Sequence, residues 1–417
     1  MDEKLKKILT PLFQSLVEKL IQRDTADFPK HLTVLFNESE IFERKYIEFL
    51  HIIATHKDYN LIGFGAKINI LDNIIKKACE EHSVENYIEN NLNKLHDEFI
   101  KLIKDWHVYL FVYGLVWNGP ELEMGMHSLF KMDRDKAQNL YDDLKIDIHE
   151  KLGTGYSIFE KLGASSDLHL SNIIDKTCLK IKVNAEKEMA IKLGHEIGQK
   201  VLEIINYVLR EADYDVRNVK LSLLTLNSGQ SRLCPIVSVD KQEAEAYIKY
   251  DHGYENITID LKDIELLNNA GLESLLSMRF NNSNPSKLEN MIFYALKLYF
   301  DGCVQSNSRI AYLNYMMIIE NILNPSDNNQ LSKSMANGLA MLLGNTYKER
   351  KEIYDEFYKL YGVRSSIIHG NDIEPTNTEL EKAEVYAKKL IRFLYIHSES
   401  LNSKDDLLYY INRLILS

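Results

Sequence analysis

The chain has few of the residues that disulfide-linked scaffolds, flexible linkers and membrane spans require. Of its 417 residues, 4 are cysteine and 7 are proline. No two cysteines have the CxxC spacing of a metal knuckle, so we expect buried apolar side chains in a reducing compartment. The longest apolar run, Val108–Trp117, is about half the length of a membrane-spanning helix, and the N-terminus lacks the apolar core of a secretory signal. The sequence therefore predicts a cytoplasmic protein with no membrane contact.

Positive charge is also outnumbered, because the chain has 50 Lys and Arg residues but 61 Asp and Glu residues. A net negative charge opposes non-specific binding of nucleic acid, since it repels the phosphates. The excess is uneven: residues 287–417 hold 15 basic against 16 acidic residues, whereas the 286 residues before them hold 35 against 45. We therefore expect any RNA to bind the C-terminal part. The acidic N-terminal part is expected to bind a regulatory protein or to shield the site.

Apolar spacing predicts an N-terminal helical region over residues 1–105. The clearest pattern is at Asn86–Trp106, where apolar residues recur at steps of three and four. Shorter helical patterns occur at Leu5–Ile21 and Ile41–Ile53.

Residues 106–280 are predicted to form a mixed α/β domain. The β-rich run Val108–Tyr113 and the segment Leu122–Met126 lie on either side of an Asn-Gly-Pro turn, which predicts a hairpin or two adjacent strands. Further predicted elements are strands at Lys180–Val183, Val219–Leu226 and Ile257–Asp260 and a helix at Glu188–Arg210.

The segment NNSNPS at 281–286 is predicted to be a linker, and the residues after it are predicted to be helical. The five expected helices are Leu288–Asp301, Arg309–Leu323, Leu331–Leu342, Lys348–Ile368 and Thr378–His397. Gly370 is a natural glycine stop for the fourth helix. The whole chain is therefore predicted to be α+β and mostly helical. A C-terminal all-α bundle over 281–417 follows a mixed α/β region and an N-terminal helical segment.

The sequence LYGVRSSIIHG, at the end of the fourth helix, contains Arg364 and His369. A ribonuclease that uses no metal needs a general base, a general acid and a cation that stabilises charge on the phosphate. Histidine titrates near neutrality, and arginine binds phosphate through two hydrogen bonds. Five helical positions place the two side chains about 140° apart around the axis, so one copy offers a sparse site. Two copies related by a two-fold axis would offer two of each residue.

This spacing does not identify a site by itself. Arg44 with His51, and Arg392 with His397, combine the same residue types at similar spacing. For both pairs we favour exposed faces of amphipathic helices.

Glu320 lies in the apolar run MMIIENIL and therefore predicts a buried partner, for which Arg364 is the candidate. A salt bridge that fixes the bundle accounts for this pair as well as a catalytic role does. For Arg364 and His369 themselves, the structural alternative is a helix C-terminus, where the dipole favours a cation.

The segment LYGVRSSIIHG resembles the signature of ApeA-like HEPN proteins. The run YLNYMMIIENIL resembles an earlier helix of that family, whose acidic residue Glu320 matches. Upstream, VYGLVWNGPELEMG resembles the strand pair of the region that accompanies this subtype. The resemblance is good over residues 281–397, weak over 107–265 and absent before Trp106.

The resemblance implies a helical bundle that dimerises and cuts RNA without a metal or other cofactor. It implies a toxin or abortive-infection effector of anti-phage defence. Because an unregulated ribonuclease would harm its own cell, we also expect a phage-derived or regulatory protein as trigger at the acidic N-terminal region. Arg364 and His369 would be catalytic, Ser365 and Ser366 would orient the phosphate, and Glu320 and Tyr361 would support the site. Many active members have Asn, Asp or His where this chain has Ser365.

Basic residues on two bundle helices are candidates for contact with an RNA backbone. They are Lys382, Lys389 and Arg392 on the fifth helix and Lys348 and Arg350 at the start of the fourth. A solvated face is the alternative interpretation. The alternative function is a non-catalytic bundle that dimerises and binds RNA or protein, or that serves as a regulatory subunit of a defence complex.

Overall fold

The computed structural model is α+β and mostly helical, as the sequence predicts. The residues that it describes are 1–21, 31–38, 40–81, 87–140, 142–143, 174–214, 219, 221–223, 231–240, 244–250, 256–325 and 331–416. Within them, no helix is both long and apolar enough to cross a membrane. Cys79 and Cys178 are buried, as predicted, and Cys303 is half-buried.

The N-terminal region is helical, as predicted. Its helices are α1 Glu3–Leu20, α2 Glu40–Thr55, α3 Phe64–Glu80 and α4 Tyr87–Lys101. Apolar residues between positions 5 and 99 form a hydrophobic core of their own, in which Phe13 and Phe49 are fully buried. Helix α3 was not predicted from the sequence.

The helix predicted over Asn86–Trp106 extends too far, because α4 ends at Lys101 and a strand begins at Lys104. Trp106 belongs to that strand. Its indole Nε1 donates a hydrogen bond to the carbonyl of Ala185 at 3.0 Å, and the side chain is buried. Pairing with a distant strand thus overrides the local helical spacing.

Eight strands form two sheets among the described residues. The strands are β1 Lys104–Val112, β2 Leu115–Trp117, β3 Leu122–Met124, β4 His127–Lys131, β5 Thr177–Ala185, β6 Ser231–Ser238, β7 Ala244–Tyr250 and β8 Ile257–Ile259. Six of them form an antiparallel sheet in the order β3-β4-β5-β1-β6-β7. The short strands β2 and β8 pair in parallel. Strands β1, β3, β5 and β8 confirm four predicted strands, while β2, β4, β6 and β7 were missed.

The hairpin predicted around the Asn-Gly-Pro turn is wrong. β1 lies between β5 and β6, whereas β3 pairs with β4. The tight turn between β3 and β4 contains Gly125 at a φ of +63°, a conformation that glycine adopts without strain. Residues 115–117, which lie just before the Asn-Gly-Pro turn, form β2 and pair with β8 instead.

The strand predicted at Val219–Leu226 is described only at residues 219 and 221–223. The pairing there is one isolated antiparallel bridge between Tyr113 and Ser222. The remaining residues of that predicted strand lie outside the described part of the chain.

Helix α5, Lys187–Glu211, confirms the helix predicted at Glu188–Arg210. It crosses the sheet at two glycines. A Cβ atom on Gly194 would lie 2.9 Å from Cγ1 of Val108, and one on Gly198 would lie 2.8 Å from Cδ1 of Leu110. The helix therefore packs on β1 at a distance that larger residues would prevent.

The C-terminal region is all-helical. Its helices are α6 Ile264–Asn269, α7 Leu272–Phe280, α8 Lys287–Val304, α9 Ser308–Leu323, α10 Leu331–Leu343, α11 Tyr347–Ile368, α12 Asn377–Ile396 and α13 Lys404–Leu416. Helices α8 to α12 confirm the five predicted ones, and α6, α7 and α13 were missed. Ser286, in the predicted linker, caps α8 together with Glu289.

The sheet, α5 and the C-terminal helices share one continuous hydrophobic core. Polar contacts also join α5 to α12: Arg210 donates a hydrogen bond to Glu384 at 2.9 Å, and the Lys388 ammonium donates to the Arg210 carbonyl at 2.9 Å. The domain boundary predicted at 280/281 stays a prediction, but the bundle core does not end there.

Candidate functional site

The segment that carries Arg364 and His369 is the C-terminal end of α11. The helix ends at His369 and Gly370, whose φ is +81°. The N–H of Gly370 donates to the carbonyl of Ile367 at 3.1 Å, and that of Asn371 donates to the carbonyl of Ser366 at 3.1 Å. This is the glycine-terminated helix end predicted from the sequence. It fixes the backbone on which His369 lies.

Arg364 binds Glu320 of the neighbouring helix α9. Its Nη2 donates a hydrogen bond to Oε2 of Glu320 at 2.7 Å, and its Nε lies 2.6 Å from Oε1. The exposed fractions of the two side chains are 24% and 18%. The sequence prediction that Arg364 is the partner of Glu320 is confirmed.

Two opposing effects act on the pKa of Glu320. Burial raises it, and the positive charge and hydrogen bond of Arg364 lower it, so that the pKa stays above its ordinary value. A carboxylate in this environment depends on Arg364 for its charge. The ion pair therefore orients both groups.

Tyr361 lies one helical turn before Arg364 and touches it. The Cζ atom of Arg364 is 5.7 Å from the centre of the Tyr361 ring, within the range of a cation–π contact. The guanidinium is thus held by a carboxylate from α9 and an aromatic ring from α11. The structure brings together Arg364, Glu320 and Tyr361, three of the residues singled out in the sequence.

His369 lies in a different environment from Arg364. It is exposed, as are its neighbours Ile368 and Gly370. Within the described ranges, its imidazole has no hydrogen bond or ion pair. A single copy therefore provides a fixed cation and an exposed imidazole at the same helix end.

Ser365 and Ser366 contribute backbone contacts to this helix end. The carbonyl of Ser365 accepts the N–H of His369 at 3.0 Å, and Ser366 accepts that of Asn371. Both side chains are half-buried. Their observed contacts hold the chain direction around His369, and the phosphate-orienting role of their hydroxyls stays a prediction.

Two residues at the beginning of α9 hold the segment after His369, and they were not predicted from the sequence. Arg309 forms an ion pair with Asp372, and its Nε lies 2.9 Å from Oε1 of Glu374. The Ser308 hydroxyl donates to Glu374 at 2.6 Å. The beginning of α9 thus fastens the loop that leaves α11. The acidic residues Asp372 and Glu374 would have been a signal for a basic partner, but not for its position.

Three of the five predicted RNA-binding residues already have partners in the protein. Lys382 pairs with Glu356 of α11, and Arg392 pairs with Glu211 of α5. The Nε of Arg350 donates to the carbonyl of Gly344 at 3.0 Å and so helps to cap α10.

The other two predicted RNA-binding residues extend into solvent. The side chain of Lys348 is 87% exposed, 4.0 Å from Glu352. Lys389 is exposed, and in the part of the chain that the structure describes it has no ion pair. The RNA-binding role of all five residues stays a prediction.

The other two Arg/His pairs differ from each other. Arg44 and His51 are exposed on α2, as predicted. The prediction of an exposed face is wrong for His397, which is half-buried and stacked on Phe393 with ring centres 4.1 Å apart. Its Nδ1 lies 2.8 Å from the Phe393 carbonyl, so it belongs to the end of α12.

Across the described ranges, no three His, Cys, Asp or Glu side chains lie where they could jointly hold a metal ion. Comparison with known proteins gives no match to a family model, to a curated protein or to a solved structure. The resemblance of LYGVRSSIIHG to the HEPN signature therefore rests on the sequence alone.

Proposed function

We propose that the protein is a metal-independent endoribonuclease of the HEPN type, with a composite site made of Arg364 and His369 from two copies. The observation that carries the proposal is the fixed position of Arg364 beside Glu320, on the same helix end as an exposed histidine. Glu320 engages Nε and Nη2, which leaves other N–H groups of a 24%-exposed side chain for a phosphate. The resemblance of LYGVRSSIIHG to the HEPN signature adds to this support.

The proposed reaction is an internal transfer on the RNA. The imidazole of His369 accepts the proton of a ribose 2′-hydroxyl, and the 2′-oxygen forms a bond to the adjacent phosphorus. The bond from phosphorus to the 5′-oxygen breaks. A protonated imidazole from the second copy donates a proton to that leaving oxygen. Arg364 stabilises the additional negative charge on the phosphate. The products carry a 2′,3′-cyclic phosphate and a 5′-hydroxyl.

The exposed side of α11 supports a homodimer. This 22-residue helix buries only Phe357 and Leu360, and it presents exposed Tyr358 and Ile368. A second copy packed on this side would cover apolar surface and bring two exposed histidines together across a two-fold axis.

The cleavage test uses a mixed RNA pool in the presence of EDTA. We expect Arg364→Ala and His369→Ala each to lower the cleavage rate at least about 100-fold. His51→Ala is the matched control, because His51 is also an exposed histidine of a helix, and it should cut like the wild type. Equal rates for all four proteins would contradict the proposal.

The same ion pair also favours a second candidate function, a non-catalytic dimer that binds RNA or protein. In that function Arg364 and Glu320 only fasten α11 to α9. The discriminating result is RNA that is retained by the wild-type protein in a gel-shift assay but stays intact under every condition tested.

We also propose a role as a toxin or abortive-infection effector against phage, with the acidic N-terminal region as the point of control. In this role the full chain should be harmless in uninfected cells and should arrest growth during infection. His369→Ala should remove the arrest without lowering the protein level. Arrest that persists in this variant would contradict the role of His369 in it.

A further inference from the structure

A cavity of about 590 Å³ lies between α5, α7 and α8, away from Arg364 and His369. Its volume is within the range of small-molecule sites, about 300–1,000 Å³. Ile204, Leu223, Phe293 and Leu296 supply an apolar wall. Helix α11 contributes no residue to the lining, so the cavity is distinct from the proposed ribonuclease site.

Three cations from three different helices line the cavity: Lys200 of α5, Arg279 of α7 and Lys297 of α8. Lys297 is paired with Asp301 at 3.0 Å. Lys200 and Arg279 are half-buried and have no ion pair within the described residues. Burial lowers the pKa of both more than the nearby carboxyl group of Glu203 raises it, which means that their desolvated charges are only partly compensated. Glu196, an acidic residue of the lining, is exposed at the rim.

Arg279 is held in place by a ring rather than by an acid. Its Cζ atom lies 4.5 Å from the centre of the Phe293 ring, a cation–π contact. Such a contact fixes the plane of the guanidinium and leaves its N–H groups available to a ligand.

Glu203 is the buried polar residue of this cavity. It is 7% exposed, it lines the cavity wall, and in the part of the chain that the structure describes it has no hydrogen bond or ion pair. Burial raises its pKa to about 7, while Asp301 acts in the same direction and the three cations oppose it. A buried carboxyl group without a partner is costly unless a bound molecule supplies one.

We propose that this cavity binds a small phosphate-bearing organic molecule of about the size of a nucleoside monophosphate. Lys200 and Arg279 bind the phosphate, because a compact dianion compensates two desolvated cations at once. Lys297 adds positive charge at the rim. The apolar wall holds the body of the ligand. The protonated Glu203 carboxyl group donates a hydrogen bond to the ligand, and the nearby phosphate dianion favours this protonated form.

The binding test uses the full chain and isothermal titration calorimetry. The probes are adenosine 5′-monophosphate, inorganic phosphate and adenosine. We expect saturable binding of the two phosphate-bearing probes, with adenosine 5′-monophosphate tighter, and adenosine at least about tenfold weaker than its monophosphate. Equal affinity for adenosine and its monophosphate would overturn the assignment of phosphate. No saturable binding of either phosphate-bearing probe at millimolar concentration would overturn the site.

Two variants of α5 locate the binding. Lys200→Gln removes a cation of the cavity and should weaken the binding of adenosine 5′-monophosphate about tenfold. Lys192→Gln is the matched control, because Lys192 is exposed on the same helix and does not line the cavity. Equal weakening by both variants, or by neither, would overturn the site. Melting temperatures of both variants confirm that they are folded. His369→Ala should bind like the wild type, so failure of the ribonuclease proposal leaves this one intact.

Discussion

Arg364 helps to set the charge state of Glu320, because the two share a half-buried position between α9 and α11. Burial raises the pKa of Glu320 and Arg364 lowers it. Removal of the arginine leaves a buried acid that either keeps an uncompensated charge or takes up a proton. The pair therefore matters for stability as well as for the proposed chemistry.

Arg364→Ala should lower the free energy of unfolding by about 2 kcal/mol, since it strands the Glu320 carboxyl group. Urea unfolding monitored by circular dichroism measures this. The double variant Arg364→Ala with Glu320→Gln should be more stable than Arg364→Ala alone, because a neutral amide replaces the stranded acid. A double variant that is less stable than the single one would show that the two residues are not coupled in this way.

Glu203 should make stability depend on pH. Its pKa in the folded chain, about 7, lies above its ordinary value of 4.5. The folded state therefore binds more protons than the unfolded state between these values, and the contribution of Glu203 to stability is lost as the pH rises from about 4.5 to about 7.

Glu203→Gln removes this titration. The variant should gain up to about 3 kcal/mol relative to the wild type when the pH is raised from 4.5 to 8. Chemical denaturation of both proteins at the two pH values measures the change. A difference between the proteins that does not vary with pH would contradict the raised pKa.

The sequence predicts some of these residue contacts and not others. A glutamate in the apolar run MMIIENIL needs a partner, and the helix that carries Arg364 provides one. The partners of Lys382 and Arg392 come from α11 and α5. Those contacts depend on how helices that are distant in the sequence pack together. The spacing of the basic residues along one helix indicated only a basic face.

Single helices show two opposite uses of glycine. Gly302 of α8 lies where a Cβ atom would be 2.6 Å from Cε1 of the buried Tyr315 ring. Gly362 of α11 has no atom within 4 Å of the corresponding position. The first glycine allows α8 and α9 to approach each other, and the second only weakens its helix.

Gly302→Ala should destabilise the protein by about 1–2 kcal/mol, because overpacking against the ring outweighs the gain in helix propensity. Gly362→Ala is the matched control and should stabilise it by up to about 1 kcal/mol. Thermal unfolding measures both. Stabilisation by both substitutions would mean that α8 and α9 are packed less closely than described.

The ends of helices were predictable where a residue or short segment at the end marks the boundary. Gly370 stops α11 as predicted, and the predicted linker 281–286 ends at Ser286, immediately before α8. The neighbours of a strand are not encoded locally. β1 pairs with β5 across more than 60 intervening residues. Because of this pairing, the predicted hairpin and the helix predicted to reach Trp106 are both wrong.

At the scale of the whole molecule, the distribution of the core decides which parts depend on one another. Residues 5–99 have their own core, whereas the sheet, α5 and the C-terminal helices share another. Tyr207 of α5 and Tyr299 of α8 are both fully buried, with ring centres 5.8 Å apart. Cutting the chain at the predicted linker would expose such surfaces.

Residues 281–417 alone should therefore fail to unfold cooperatively, whereas residues 104–417 should do so. Differential scanning calorimetry of the two fragments measures this. A sharp transition for residues 281–417 at the temperature seen for residues 104–417 would show that the bundle does not need α5. Helix positions along the sequence predicted the bundle, but they did not predict this shared core.

The most direct test of the composite ribonuclease site is a mixed dimer of one wild-type and one His369→Ala subunit. The two chains are co-expressed with different tags, and the mixed dimer is purified through both. That dimer retains both Arg364 residues but a single His369, whereas the proposed reaction needs an imidazole from each copy. The account predicts that the mixed dimer cleaves an RNA pool in EDTA at least about 100-fold more slowly than the wild-type dimer. Half of the wild-type rate or more would show that one copy is sufficient and would contradict it.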